Sequence, residues 1–182
     1  YGEPVVKMMD HLGYTATTIG NHEFDWGIEK VFNTMKENDA TYSMLTANVY
    51  KDGKIADWAT PYMIKDVDGV MVGIIGLSTP DTSVTAHKDF VGEYTFEDPA
   101  KIVEALIPEL EEKGAELIVA LTHLPARQDD GVITGELADL VTAVDGLDAA
   151  VGGHSHSRVT GLVNDTPVVM AYKHGRMIGN IS

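Results

Sequence analysis

Cysteine is absent from the 182 residues, so no disulfide braces the fold and no thiolate-bound zinc is available. No apolar run approaches the roughly 20 residues that a helix needs to cross a bilayer. Basic residues are scarce: 13 Lys and Arg stand against 28 Asp and Glu, a formal net charge of −15. Such a surface repels nucleic acid backbones and anionic membranes. It still admits a small anion wherever a bound divalent cation reverses the local field. There is no glycine-rich phosphate loop and no Gly-x-Ser-x-Gly nucleophile elbow. The chain carries no repeat, low-complexity tract or interdomain linker, and its length fits one domain with a sizeable core. It opens on Tyr1 without a signal-peptide pattern, which we read as targeting information lying outside it.

What the chain does contain is an alternation of helical and strand-like segments. Helices are expected over 3–12, 29–38, 98–113 and 135–144. The third starts on Asp98-Pro99 as cap and first position, stops at Gly114 and is kinked or broken at Pro108. Strands are expected over 15–19, 42–47, 117–122, 149–151 and 177–181. Hairpins are expected at 62–67 with 70–77 across Asp68-Gly69, and at 159–163 with 168–172 across Asn164-Asp165. Helices between strands, with hairpins mixed in, predict an α/β fold with mixed sheets.

Three strand ends are dense in metal-binding and proton-handling groups. Gly20-Asn21-His22-Glu23-Phe24-Asp25-Trp26-Gly27 puts an amide, an imidazole and carboxylates in one loop; Leu121-Thr122-His123 and Gly152-Gly153-His154-Ser155-His156 follow two later strands. Open α/β sheets bind ligands at such ends. Neutral imidazoles suit zinc and similar ions, and an Asn carbonyl oxygen suits harder cations. A lone histidine past a strand is ordinarily a satisfied loop residue; three of them beside Gly-Asn-His-Glu point to a metal site. Asp25 has two readings: it fixes the His22 ring by accepting its hydrogen bond, or it caps the helix beginning near Gly27. Glu23 is left without a role. Asn48 reads as structural, Arg127 and Arg158 as surface residues or as contacts to a phosphate, and His11, His87 and His174 as residues without chemistry. Trp26 either packs over the site or anchors the following helix.

At these residues the chain resembles the calcineurin-like metallophosphatases, and more narrowly the branch of 5′-nucleotidases, UDP-sugar hydrolases and 2′,3′-cyclic-nucleotide phosphodiesterases. The resemblance runs from Gly2-Glu3-Pro4-Val5-Val6 to Gly175-Arg176-Met177-Ile178-Gly179, with Ala47-Asn48 and Gly76-Leu77-Ser78-Thr79-Pro80 as supporting features. It implies a layered αββα sandwich and a two-metal hydrolase using zinc, manganese or similar ions. In that scheme Asn21, His123 and His154 bind the second metal, His156 binds the first, and His22 is the catalytic histidine oriented by Asp25. Asp at position 25 favours a 5′-nucleotidase over a cyclic phosphodiesterase. The resemblance also implies a nucleotide or other phosphoester substrate and a location outside the bacterial cytoplasm.

Two of the family's features have no counterpart in the chain: the Asp-x-His and Gly-Asp motifs that precede these, and the C-terminal domain that holds the nucleoside. The chain is therefore expected to be a partial catalytic domain lacking the N-terminal strands. It is expected to bind at most one metal, to show little activity alone and to risk association through a truncated sheet edge. Two rival readings stay open: a cyclic phosphodiesterase or UDP-sugar hydrolase, and a non-catalytic binding domain with a residual metal site.

Overall fold

The computed structural model describes residues 2–181. In chain order it holds α1 (Glu3–His11), β1 (Ala16–Thr18), a 3-10 turn (Asn21–Phe24), α2 (Ile28–Glu37), β2 (Ser43–Leu45), β3 (Val49–Lys51), β4 (Lys54–Ile55), β5 (Tyr62–Val67) and β6 (Val70–Leu77). There follow α3 (Thr82–Thr85), α4 (Lys88–Val91), β7 (Thr95–Phe96), α5 (Pro99–Glu112), β8 (Leu117–Thr122), β9 (Arg127–Asp129), β10 (Val132–Thr134), α6 (Glu136–Ala143), β11 (Ala149–Val151), β12 (Arg158–Val163) and β13 (Thr166–Ala171).

The principal sheet has six strands in the order β12-β13-β11-β8-β6-β5. Its centre is parallel, and an antiparallel hairpin closes each edge. One face is covered by α5 and α6, whose Val103, Ile107, Leu110, Leu137, Leu140 and Val141 bury against Ile75, Leu77, Ile118, Ala120, Ala150 and Val168. Across the other face lies the parallel pair β1–β2. Behind that pair, Val6 of α1 and Met35 of α2 pack with Tyr42 and Met44. The order is helix, sheet, sheet, helix, which is the expected sandwich.

The two sheets approach closely because residue 76 has no side chain. A Cβ built on Gly76 would sit 2.3 Å from Leu45 Cβ and 2.4 Å from its carbonyl carbon. Gly73, Ile75 and Leu77 face the α5 side, so Gly76 faces β2 by the period of two of a strand. A buried polar knot ties the same region together. Asn48 donates to the Ser78 carbonyl at 2.8 Å and accepts from the Ser78 amide at 2.9 Å, while Ser78 Oγ donates to the Ile19 carbonyl at 2.8 Å. The structural reading of Asn48 holds.

Several expectations change in detail. Helix α5 runs unbroken through Pro108. Pro108 and Glu104 are both exposed, so the carbonyl left without its donor faces water. Residues 177–181 form no strand; Ile178 is 95% exposed, and nothing among the described residues pairs with the segment. Asp25 does not cap α2, whose cap is Gly27 at φ +85° with no side-chain cap bond. Two hairpins not anticipated form at β3–β4 and β9–β10.

Placing a methyl group at position 76 forces the sheets apart. Gly76→Ala is expected to destabilise the fold by about 3 kcal/mol or more. In thermal unfolding that is a fall in Tm of roughly 6–12 °C; a fall under about 2 °C would refute the close contact.

Candidate functional site

The Asn21 loop leaves β1 at its C-terminal end, and its backbone is fixed from three directions. Ile19 is fully buried and held by Ser78. Glu23 folds back so that its carboxylate accepts the Gly20 amide at 2.8 Å, the returning half of a capping box, Gly20 having no side chain to supply the other. Burial raises the Glu23 pKa, partly offset by that amide. Phe24 anchors the turn in an aromatic cluster, its ring centroid 6.1 Å from Trp58, 5.6 Å from Tyr94 and 5.6 Å from Phe96.

His123 enters from the end of β8. Its amide donates to the Leu77 carbonyl at 2.8 Å, so the strand end is locked to its neighbour β6. The ring lies against Gly20, where an added Cβ would meet His123 Cε1 at 2.7 Å. Position 20 must be glycine for the ring to reach Asn21.

His154 and His156 come from the turn after β11. That turn is tight: the Ser155 amide donates to the Gly153 carbonyl at 2.7 Å, with His154 at φ +63° and His156 at φ +54°. Such conformations cost about 1–3 kcal/mol each and persist where the surroundings impose them. Here Ser155 Oγ donates to the Ala126 carbonyl at 2.7 Å and accepts the Ala126 amide at 3.2 Å. The Gly153 amide donates to the Leu124 carbonyl at 3.1 Å. These bonds lace the His154 turn to the loop just past His123.

The result is convergence on one oxygen. Asn21 Oδ1 lies 3.2 Å from His123 Nε2 and 3.2 Å from His154 Nδ1, and the two rings are 5.2 Å apart edge to face. Residues 21, 123 and 154 come from three strand ends. The His22 side chain is 74% exposed, and its Nδ1 meets Asp25 Oδ2 at 2.7 Å. Of the two readings of Asp25, contact with the His22 ring is the one realised. His156 is exposed and its ring lies 5.8 Å from His174. His174 is the residue that sequence reading passed over. No pattern in the sequence marks it: the strand before it lies beside β11 and parallel to it, so both loops emerge at one end of the sheet.

Burial, followed by the charges of His154, His22 and His156, pushes the His123 pKa down to about 4. Desolvation, then Lys173 and His174, also lowers that of His156. The His123 ring is therefore a neutral lone-pair donor at ordinary pH. Two imidazole nitrogens and an amide oxygen gathered at one point suit a divalent cation of the zinc or manganese kind. Among the described residues no three His, Cys, Asp or Glu side chains cluster at ligand spacing; the amide oxygen of Asn21 is what completes this trio.

Residues 2–158 match the calcineurin-like phosphoesterase family. A 5′-nucleotidase of Vibrio cholerae is 31% identical over 201 residues, spanning 97% of this chain and 36% of that protein. The Cell wall protein Lmo0130 of Listeria monocytogenes is 28% identical over 213 residues, 99% of this chain and 27% of that protein. The crystal structure of a 5′-nucleotidase precursor from Thermus thermophilus superposes with a TM-score of 0.78 at 30% identity, covering 94% of this chain and 36% of that one. The chain thus spans about a third of the length of these relatives, or less.

The depressed pKa of His123 makes metal-free protein acid-sensitive. Unfolded histidine takes up its proton near pH 6.5 and the folded ring only near 4, so stability present above pH 6.5 is lost as the pH falls toward 4. At pH 5 this one group contributes a loss of about 2 kcal/mol. Urea unfolding in EDTA at pH 7 and pH 5 should show a smaller pH-dependent loss for His123→Asn than for the wild type, by about that amount. Equal losses would contradict the buried neutral ring.

Proposed function

We propose, since this chain belongs to the calcineurin-like phosphoesterase family, that it forms the phosphoryl-handling part of a metal-dependent phosphomonoesterase acting on nucleoside 5′-monophosphates. The observation that carries this reading is the meeting of His123 Nε2 and His154 Nδ1 at Asn21 Oδ1, 3.2 Å from each. Asn21, His123 and His154 would hold one divalent cation and His156 would serve a second, in a site that uses two. Such cations polarise a phosphoryl oxygen and lower the pKa of bound water toward ~7.

The chain's own groups do the rest. Neutral His123 offers its lone pair without first releasing a proton. His22 gives its Nδ1 proton to Asp25 as a hydrogen bond, which fixes the ring and leaves Nε2 facing solvent on the substrate side. In its imidazolium form, His22 donates from Nε2 to a phosphoryl or leaving-group oxygen. The Asp25 carboxylate accepts from Nδ1 in both protonation states, so the ring keeps its orientation through the proton transfer. The family's cyclic phosphodiesterases tend to carry Asn at this position, and the carboxylate supports the monophosphatase reading. Similarity to a cell wall protein and to a Vibrio 5′-nucleotidase supports a location outside the cytoplasm.

Two measurements test this. Manganese titration of the chain, followed by the loss of free-ion EPR signal, should show a site weakened by roughly tenfold or more by Asn21→Ala or His154→Ala and unaffected by His11→Ala. Unchanged affinity in Asn21→Ala would remove the trio from the account. In the full natural protein AMP should be hydrolysed faster than 2′,3′-cyclic AMP or UDP-glucose, and His22→Ala should lower kcat by about 10²–10⁴-fold. Faster turnover of a cyclic substrate, or metal binding with no turnover of any phosphoester, would overturn the assignment in favour of a phosphodiesterase or a binding domain respectively.

A further inference from the structure

Packing alone asks for a hydrocarbon at position 122, and the chain places a hydroxyl there. Thr122 is 3% exposed. It ends β8 on the face that carries Ile118 and Ala120, both part of the core beneath α5 and α6. Valine has nearly the same shape and would suit that face. A buried hydroxyl costs stability unless it is bonded, and this one is bonded twice. Thr122 Oγ1 donates to the Val151 carbonyl at 2.9 Å and accepts the Leu124 amide at 3.1 Å.

These two bonds bracket His123. The Leu124 amide reaches back two residues to Thr122, so the bond bends the chain around His123 and sets the direction in which its side chain leaves. The other bond reaches the last residue of β11, where the register of β8 and β11 ends at Leu121 and Val151. Past that point the His123 amide goes to Leu77 of β6 and the Gly152 amide to Val169 of β13, at 2.8 and 2.9 Å. Each strand end is thus held on its outer side. The Gly153 amide then meets the Leu124 carbonyl at 3.1 Å. Val151, Thr122, Leu124 and Gly153 form one closed run of contacts, and His123 and His154 both spring from it.

The fit between the two loops is close, since a Cβ built on Gly153 would lie 3.1 Å from His123 Nδ1. Ligands serve one ion only while they are held to within about 0.5 Å of the productive geometry. We propose that Thr122 is a positioning residue whose hydroxyl, by joining the end of β8 to the end of β11, holds His123 and His154 on one cation. This rests on the metal reading above. Thr122 acts through the backbone of both loops, not as a ligand.

The test is manganese titration of the chain, read by the free-ion EPR signal, for Thr122→Val and Thr122→Ser, each with its metal-free unfolding temperature. Thr122→Val keeps the shape and loses the hydroxyl; Thr122→Ser keeps the hydroxyl and loses a buried methyl. Thr122→Val should bind manganese about tenfold more weakly than the wild type, and Thr122→Ser within about twofold of it. The serine variant should do so although its lost methyl lowers the unfolding temperature. Affinity then follows the hydroxyl, whereas a merely structural role makes it follow stability. Wild-type affinity in folded Thr122→Val, or a comparable loss in Thr122→Ser, overturns the proposal; the serine arm decides alone if the valine variant does not fold. A wild type that binds no manganese, or binding left unchanged by Asn21→Ala, overturns the metal reading and the proposal with it.

Discussion

The contact between the two sheets at Gly76 sets how closely the strands that carry the site approach one another. With only a hydrogen at that position, β6 lies directly against Leu45, and β1, β2, β6 and β8 finish at one level. The buried Asn48–Ser78–Ile19 knot then fixes the chain just before Gly20. A fully satisfied polar network is stiff and specific in a dry interior. Gly20 supplies the second omission, since a side chain there would collide with the His123 ring. Two missing side chains and one polar knot thus bring an amide oxygen from residue 21 to imidazoles from residues 123 and 154.

The electrostatic design follows the same economy. An acidic surface attracts cations, and the centre of the site holds an amide oxygen beside a buried, uncharged His123 ring. His123 stays uncharged because burial and three neighbouring imidazoles oppose its protonation. Positive charge is kept for the rim, where Arg158 and Lys173 gather around Tyr172. The cation proposed for the centre would, with the guanidinium groups at the edge, make one anion-attracting region on a molecule that otherwise repels anions.

Much of this was legible in the sequence. The alternation of helices and strands, the Asp98 cap of α5 and the three site loops follow from periodicity and from residue chemistry. His123 and His154 meet because β8 and β11 are parallel neighbours in one sheet, and Asn21 joins them from the end of β1 in the facing sheet. Other features were legible in principle and passed over. Asp-Gly reads as a turn at 68–69, and the same dipeptide at 52–53 and 130–131 also closes hairpins, with both residues at positive φ each time. The failures have tertiary causes. Pro108 ends no helix because the Glu104 carbonyl that it leaves without a donor sits on the exposed face. Residues 177–181 have strand-like composition and no partner among the described residues. The pairing of His156 with His174 depends on strand order, which periodicity does not encode.

Crystals of the chain soaked with zinc and measured on both sides of the zinc absorption edge give the most direct test of the central claim. The account predicts an anomalous peak about 2.0–2.2 Å from His123 Nε2, His154 Nδ1 and Asn21 Oδ1 at once. A peak bound by other side chains, with those three still joined only to one another, would contradict it.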